Sequence, residues 1–421
     1  LDYVDDYTLH TTIGGETTSH EIEGLNVIIS DEQKITASNA GADDEFGISV
    51  AISGDYAIVG AKYGDEASTS NAGAAYIFKH NGTSWSEQQI ITASNPDTND
   101  YFGESVSISG DYAIVGANRE NGDAGAAYIF KRSGTSWSEQ QKITASDAAS
   151  SDRFGWSVSI SGDYAIVGAT NEADGGANAG AAYIFKRNGT SWSQQSKLTA
   201  SNAASGNLFG YSVDISGDYA IVGSRGEGAY IFIRSGTSWS EQQSLTASDA
   251  EASDYFGWSV GISGDYVIVG AKYEDDGGAN AGAAYIFKRN GTSWSQQSKL
   301  TASDAYDNDQ FGQSVSISGD YVIVGAWYED DGGADAGATY IFKRSGTSWS
   351  EQQKLTASDV AIGDEFGYSV GISGDYVIVG ARYEDDGGSN AGAAYIYPLK
   401  STQNFYITDA GKYSVDATIA G

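Results

Sequence analysis

The segment Phe-Gly-x-Ser-Val occurs seven times in the chain, beginning at Phe46, Phe102, Phe154, Phe209, Phe256, Phe311 and Phe366. The spacings are 56, 52, 55, 47, 55 and 55 residues. A second segment, Tyr-Ile-Phe, ends at Phe78, Phe130, Phe185, Phe232, Phe287 and Phe342. Only Phe405 of the 14 phenylalanines stands outside these two segments. A chain whose aromatic core recurs at this period must fold as successive copies of one supersecondary unit.

One unit reads as four strands. In the third, FGWSVSIS (154–161) alternates and Gly162-Asp163 turns the chain into YAIVGA (164–169). The loop NEADGGANAG follows, then AAYIFKR (181–187), the turn Asn188-Gly189 and SWSQQSKLTAS (191–201). The short turns are hairpin signals, and four antiparallel strands per unit describe a propeller blade. Helix-period apolar spacing appears nowhere, and a parallel solenoid needs shorter repeats. The expected fold class is all-β, a seven-bladed β-propeller of four-stranded blades. The last unit ends after AAYIY without a fourth strand, whereas DEQKITAS (31–38) precedes the first Phe-Gly. The N-terminal strand should therefore close the ring by pairing 32–38 with 393–399, which removes two open sheet edges. This assigns residues 31–399 to the propeller and leaves 1–30 and 400–421 as short non-repeat β flanks. The first flank reads as part of a neighbouring β element. In the second, Asp409-Ala410-Gly411-Lys412-Tyr413 resembles the corner of an immunoglobulin-like sandwich, so 400–421 reads as a fragment of one or a strand donated to a partner.

Composition excludes several functions. Lys and Arg number 23 against 56 Asp and Glu, a net charge of −33, which disfavours nucleic acid and anionic lipid as partners. With no Cys there is no disulfide, thiolate metal site or cysteine nucleophile. No run of 18 apolar residues and no basic-plus-apolar leader occurs, so no membrane insertion is expected. The chain starts at Leu1 and lacks Met, and reads as a mature product or an excerpt of a longer one. His10, His20 and His80 are too few and scattered for a zinc site, and no nucleophile elbow, Walker loop or paired-His motif occurs. The seven serines Ser49, Ser105, Ser157, Ser212, Ser259, Ser314 and Ser369 share one structural slot, which marks them as packing residues rather than nucleophiles. No enzyme is expected.

The pattern FG-x-SV…GD-x-x-IVGA…GAAYIF resembles the FG-GAP repeat of integrin α propellers and of many extracellular bacterial and algal proteins, over about residues 31–399. The resemblance implies a secreted or surface-exposed seven-bladed propeller used for adhesion. Calcium-binding repeats of that kind carry a D-x-[DN]-x-DG loop after the first strand. Here only a tight turn such as Ser161-Gly162-Asp163-Tyr164 stands there, without room for an oxygen cage. A second resemblance, of GTSW at Gly134–Trp137 to the box of sialidase-type propellers, lacks its Asp and has Arg132 instead. Trp85, Trp137, Trp192, Trp239, Trp294 and Trp349 then read as turn-anchoring core residues.

Strand order puts the turns between strands one and two and between three and four on one face. The loops between strands two and three and between blades lie on the other, and they vary in length and sequence, as binding loops on a rigid scaffold do. That face carries YEDDGG three times, so Asp275, Asp276, Asp330, Asp331, Asp385 and Asp386 are candidate Ca2+ ligands or members of solvated turns. It also carries Trp156, Tyr211, Arg225, Trp258, Trp327, Tyr368 and Arg382, which either plug the channel mouth or form a surface for sugar or peptide. The short SRGEG connection (224–228) should open a notch beside Tyr211 and Arg225. Asn81, Asn188 and Asn290 stand in N-G-T sequons on the opposite face, as glycosylation sites or plain Asn-Gly turns. The expected function is a non-enzymatic extracellular or cell-surface adhesion module that binds a glycan or protein on a surface. The alternatives are a structural subunit of a filament, sheath or surface layer, self-assembling through the flanking strands, and a propeller glycosidase.

Overall fold

A computed structural model describes residues 32–65, 69–225, 228–251 and 253–399, together with two pairs of strands in the flanks. Each of the first six units forms one four-stranded antiparallel sheet with its strands side by side in chain order, and the seventh supplies three strands of a like sheet. In blade three these are Phe154–Ser161, Tyr164–Ala169, Ala181–Asn188 and Ser191–Leu198. The second and third strands are covered on both faces, which is why YAIVGA and AAYIF are continuous apolar runs rather than alternating ones. The hydrophobic core lies between blades. Tyr112 and Ile114 of blade two pack with Phe154, Val158 and Ile160 of blade three, and the same arrangement recurs around the ring. Within a blade, Phe154 meets Tyr183 and Phe185 edge-on at 5.6 and 5.9 Å between centroids, contacts that contribute about 1 kcal/mol each beyond burial.

The ring closes as the sequence predicts. Gln33–Ile35 adds to Ala393–Pro398 as the fourth strand of blade seven, with Gln33 opposite Ile396, Lys34 opposite Tyr395 and Ile35 opposite Ala394. The closing ladder is three residues long, whereas the fourth strand of blade five, Ser293–Leu300, has eight.

The seven serines fasten each blade to the next. Ser49 Oγ donates to the Gly103 carbonyl at 2.8 Å, Ser259 Oγ to Gly312 at 2.8 Å, and Ser369 Oγ to Gly47 at 2.8 Å, the last spanning the closure. The approach is close enough to require glycine opposite each serine, since a Cβ on Gly270 would lie 2.2 Å from the Gly312 carbonyl oxygen. Farther out, Gln243 bonds both the N–H and the C=O of Trp294 in the next blade, at 2.9 and 2.8 Å. Replacing Ser314 by Ala should cost about 1 kcal/mol in denaturant unfolding, and pairs of such changes in distant blades should add. A serine acting as a nucleophile would leave stability unchanged.

In the flanks, Asp5–Ile13 pairs antiparallel with Glu16–Leu25, and Asn404–Tyr406 with Asp416–Thr418. The chain divides into two compact units, Gln33–Ile396 and a smaller one drawn from Leu1–Glu32 and Tyr397–Gly421. The immunoglobulin-like corner at Asp409–Tyr413 lies outside the described residues.

Candidate functional site

Each blade begins with a backbone irregularity that aims variable side chains at the channel mouth. The residue before Phe-Gly is left-handed in all seven: Glu45, Tyr101, Arg153, Leu208, Tyr255, Gln310 and Glu365 have φ between 53° and 59°. None is Gly or Asn, the residues that adopt this region with least strain, so each position costs about 1 kcal/mol. In blades two to seven a β-bulge follows between Phe and Ser. The bulge re-aims the residue after Phe-Gly, and it brings Trp156, Tyr211 and Trp258 of three successive blades into contact. Their centroids are 5.5 and 4.6 Å apart along the series.

The residue after Val-Gly-Ala or Val-Gly-Ser adds another ring of side chains. Lys272 Nζ lies 3.4 Å from the Trp258 ring centroid and 5.3 Å from that of Trp327, and it donates to Gln313 Oε1 at 3.2 Å. Trp327 meets Tyr368 at 5.2 Å, and the Arg382 guanidinium covers Tyr368 at 3.8 Å. Arg225 lies 5.4 Å from Trp258. The seven residues Trp156, Tyr211, Arg225, Trp258, Trp327, Tyr368 and Arg382 therefore come together as one half-buried cluster, bridged by Lys272. The connection at blade four spans residues 225–227, of which Arg225 is described.

Charge is distributed unevenly around this mouth. Arg382 pairs with Glu365 at 2.6 Å, and Lys62 with Glu45 and Glu104 at 3.3 and 3.8 Å. Lys272 is 3% exposed and lacks a carboxylate partner among the described residues. Burial, then the nearby Arg225 and Arg382, lower its pKa to about 7. Burial raises the pKa of Tyr211 and Tyr368, which stay neutral phenols.

A family model for the FG-GAP repeat matches seven consecutive segments, residues 29–78, 85–130, 137–185, 192–237, 239–287, 294–342 and 349–397. The chain belongs to the FG-GAP repeat family. No curated protein matches it. The first match begins before the closing strand Gln33–Ile35 and ends on the third strand of blade one. The FG-GAP repeat is thus offset by one strand from the blade, and this offset leaves the seventh blade to be completed from the N-terminal side.

The acidic loops of this FG-GAP propeller already enclose a cation. In four blades an Asp from the interblade loop joins a Glu and an Asp from the loop between strands two and three. The groups are Asp147, Glu172 and Asp174; Asp249, Glu274 and Asp276; Asp304, Glu329 and Asp331; and Asp359, Glu384 and Asp386, each with oxygens within 4.8 Å of one another. Such sets are spaced to hold a metal ion. In each of them, however, a lysine from the fourth strand reaches all three carboxylates: Lys197, Lys299, Lys354 or Lys34. Lys299 Nζ lies 2.8 Å from both Asp249 and Glu274 and 2.5 Å from Asp276. Burial works against its charge, but the bonds to Asp249, Asp276 and Glu274 outweigh it and hold the pKa well above the usual lysine value. The second oxygens of Glu172, Glu274, Glu329 and Glu384 are buried without a partner.

Of the candidate metal ligands, Asp276, Asp331 and Asp386 thus belong to these trios. Asp275, Asp330 and Asp385 do not, and instead accept the backbone N–H of Asn280, Asp335 and Asn390 at 2.6 to 2.8 Å, shaping their own loops. Blade two has Asn95 in place of the interblade Asp, and Lys142 pairs with Glu120 alone. A cavity of about 600 Å3 opens there, lined by Asp100, Glu120, Lys142 and Asn95 among others.

The short-turn face is a structural one. Asp163 of the SGDY turn pairs with Arg187, and Arg187 also lies 4.6 Å from the Tyr112 ring of the preceding blade. Asp111, Asp218, Asp265 and Asp320 pair with arginines in the same way. Each Trp of the GTSW segments packs against the preceding blade, as Trp192 does on Tyr112 at 6.0 Å. Asn81, Asn188 and Asn290 are exposed at these turns, and Asn81 Oδ1 accepts the N–H groups of Thr83 and Ser84.

Proposed function

We propose that the chain is a non-enzymatic recognition module of an extracellular or cell-surface protein, binding a glycan or a protein through its long-loop face. The observation that carries this reading is the mouth cluster. Seven near-identical blades hold their lead-in residues in left-handed backbone, yet fill those positions and the two rings beside them with different side chains. A scaffold alone would use glycine there. The strain is kept for the sake of the side chains, and aromatic faces beside guanidinium groups suit a polar ligand with flat or ring-shaped parts.

Membership of the FG-GAP family supports an interaction role and extracellular placement. Among the described residues no helix is long and apolar enough to cross a membrane. Calcium enters this reading as a competitor of the four lysines, because an ion and an ammonium need the same oxygens. The deciding experiment replaces Trp258 and Tyr211 by Ala together and measures adhesion to cells and binding on a glycan array. Stacking contributes about 1 kcal/mol per aromatic pair, so the double change should weaken binding about ten-fold or more while the ring stays folded with a modestly lowered melting temperature. Retained adhesion would move the site elsewhere and favour the structural-subunit reading.

A further inference from the structure

The charges at the mouth are balanced on one side only. Around blades seven, one and two, Glu365, Glu45 and Glu104 face Arg382 and Lys62. From blade two to blade five, Arg119, Arg153, Arg225 and Lys272 have no carboxylate within ion-pair distance among the described residues. Arg119 and Arg153 occupy the positions held by Tyr63 and Tyr101 one blade earlier, whose rings meet at 4.9 Å. Two arginines thus replace the two tyrosines of that slot, Arg119 lying over the Tyr101 ring at 4.4 Å, and among the described residues Arg153 Nε is buried without a hydrogen-bond partner. The chain has 56 acidic residues, and the described part places none of them here as a counter-ion. Between the two cationic pairs runs the aromatic arc Trp156, Tyr211 and Trp258. Arg153 lies 5.7 Å from Trp156 at one end, and Arg225 lies 5.4 Å from Trp258 at the other.

We propose that this arc binds an anionic saccharide, with acidic groups held by Arg119 and Arg153 at one end and by Arg225 at the other, where the buried Lys272 adds charge from beneath Trp258. The proposal rests on the recognition reading above and narrows its ligand to a class. Sugar rings stack on aromatic faces, and a carboxylate or sulfate ester supplies the charge that the protein withholds. An acidic peptide would satisfy the arginines but leave the three aromatic side chains between them unexplained. Lys272 adds a dependence on pH. It faces Trp258 and Gln313 from the first strands of blades five and six, and Tyr273 and Trp327 from the adjoining loops. Arg225 and Arg382 are the charged groups that act on it. Protonation below about 7 adds a fourth positive charge to those of Arg119, Arg153 and Arg225, acting through the Trp258 ring, so binding weakens as the pH rises through that value.

The test titrates the full chain with four probes: an oligogalacturonate, a sulfated dextran oligomer, a neutral cello-oligosaccharide and an oligoglutamate. The acidic saccharides should bind and the neutral one should not, and the first two arms tell carboxylate from sulfate. Arg153→Gln with Arg225→Gln should weaken binding about ten-fold or more, whereas Arg225→Lys should keep most of it. Raising the salt from about 50 to about 500 mM should weaken binding as well. Equal binding of the neutral probe, tighter binding of oligoglutamate, or indifference to the arginine changes would overturn the proposal. If the double arginine variant does not fold, salt and pH profiles of the unsubstituted protein decide, and flat profiles overturn it. In any such failure, adhesion that still depends on Tyr211 and Trp258 leaves the recognition reading standing, and adhesion independent of them removes both.

Discussion

Removing residues 1–38 should leave a chain that no longer unfolds in one cooperative step. The deletion takes away Gln33–Ile35, the fourth strand of blade seven, and exposes the edge of Ala393–Pro398. Ile35 and Ala37, both nearly inaccessible, leave the core they share with blade one. Lys34 goes with them, and Asp359, Glu384 and Asp386 lose the ammonium that they surround. Burial of an isoleucine contributes about 1.5–3 kcal/mol, and an uncompensated carboxylate group costs a similar amount after allowance for the exposed Asp386. The sum, about 3–6 kcal/mol, is a large part of the about 5–15 kcal/mol by which domains are stable. The expected result is oligomers in size-exclusion chromatography and a broadened melting transition. A deleted chain that stays monomeric and melts sharply would show that the ring does not depend on this strand.

The second large effect concerns the lysine-centred trios. Lys299→Met keeps the length of the side chain and removes its charge, so that Asp249, Glu274 and Asp276 face one another unscreened. Glu274 is 4% exposed, and removing one partner of a buried ion pair costs about 3–5 kcal/mol. Asp276 is well exposed and solvent screens it, which brings the expectation to about 2–3 kcal/mol. The same change frees three carboxylates already within 4.8 Å of one another. Millimolar Ca2+ should therefore raise the melting temperature of Lys299→Met more than that of the unsubstituted chain, because an ion that binds the folded state alone stabilises it. Equal Ca2+ responses in the two proteins would mean that the lysine does not hold the cation position.

These trios also mark where sequence reasoning stopped. The repeat fixes blade number, strand order and closure, because Phe-Gly, Val-Gly-Ala and Tyr-Ile-Phe recur in a constant order, and the missing last strand has a visible counterpart at 31–38. The rings after Phe-Gly and after Val-Gly-Ala stand out as variable positions in a copied scaffold. The trios do not, since Lys299 is 50 residues from Asp249 and 25 from Glu274. One signal was present within the chain. Where the interblade residue is Asn39 or Asn202, the fourth strand carries Ile90 or Ser244 instead of lysine, although blade two breaks the pattern with Asn95 and Lys142. The left-handed lead-in positions were not legible at all. Glu, Tyr, Arg, Leu and Gln carry no preference for positive φ, and the interblade geometry alone imposes it.

The closing ladder also determines how the ring meets mechanical load. Gln33 stands opposite Ile396, so the chain leaves towards both flanks from the same end of the three-residue pairing. A pull applied through the two flanks therefore peels that pairing apart one rung at a time, instead of shearing its hydrogen bonds together. The other six blades lie outside the line of tension, since each is a continuous meander joined to its neighbours by serine and glutamine bonds. Blade seven acts as the weakest link under traction. Its parting would open the circle while the aromatic arc of blades three to five, on the far side, stays assembled.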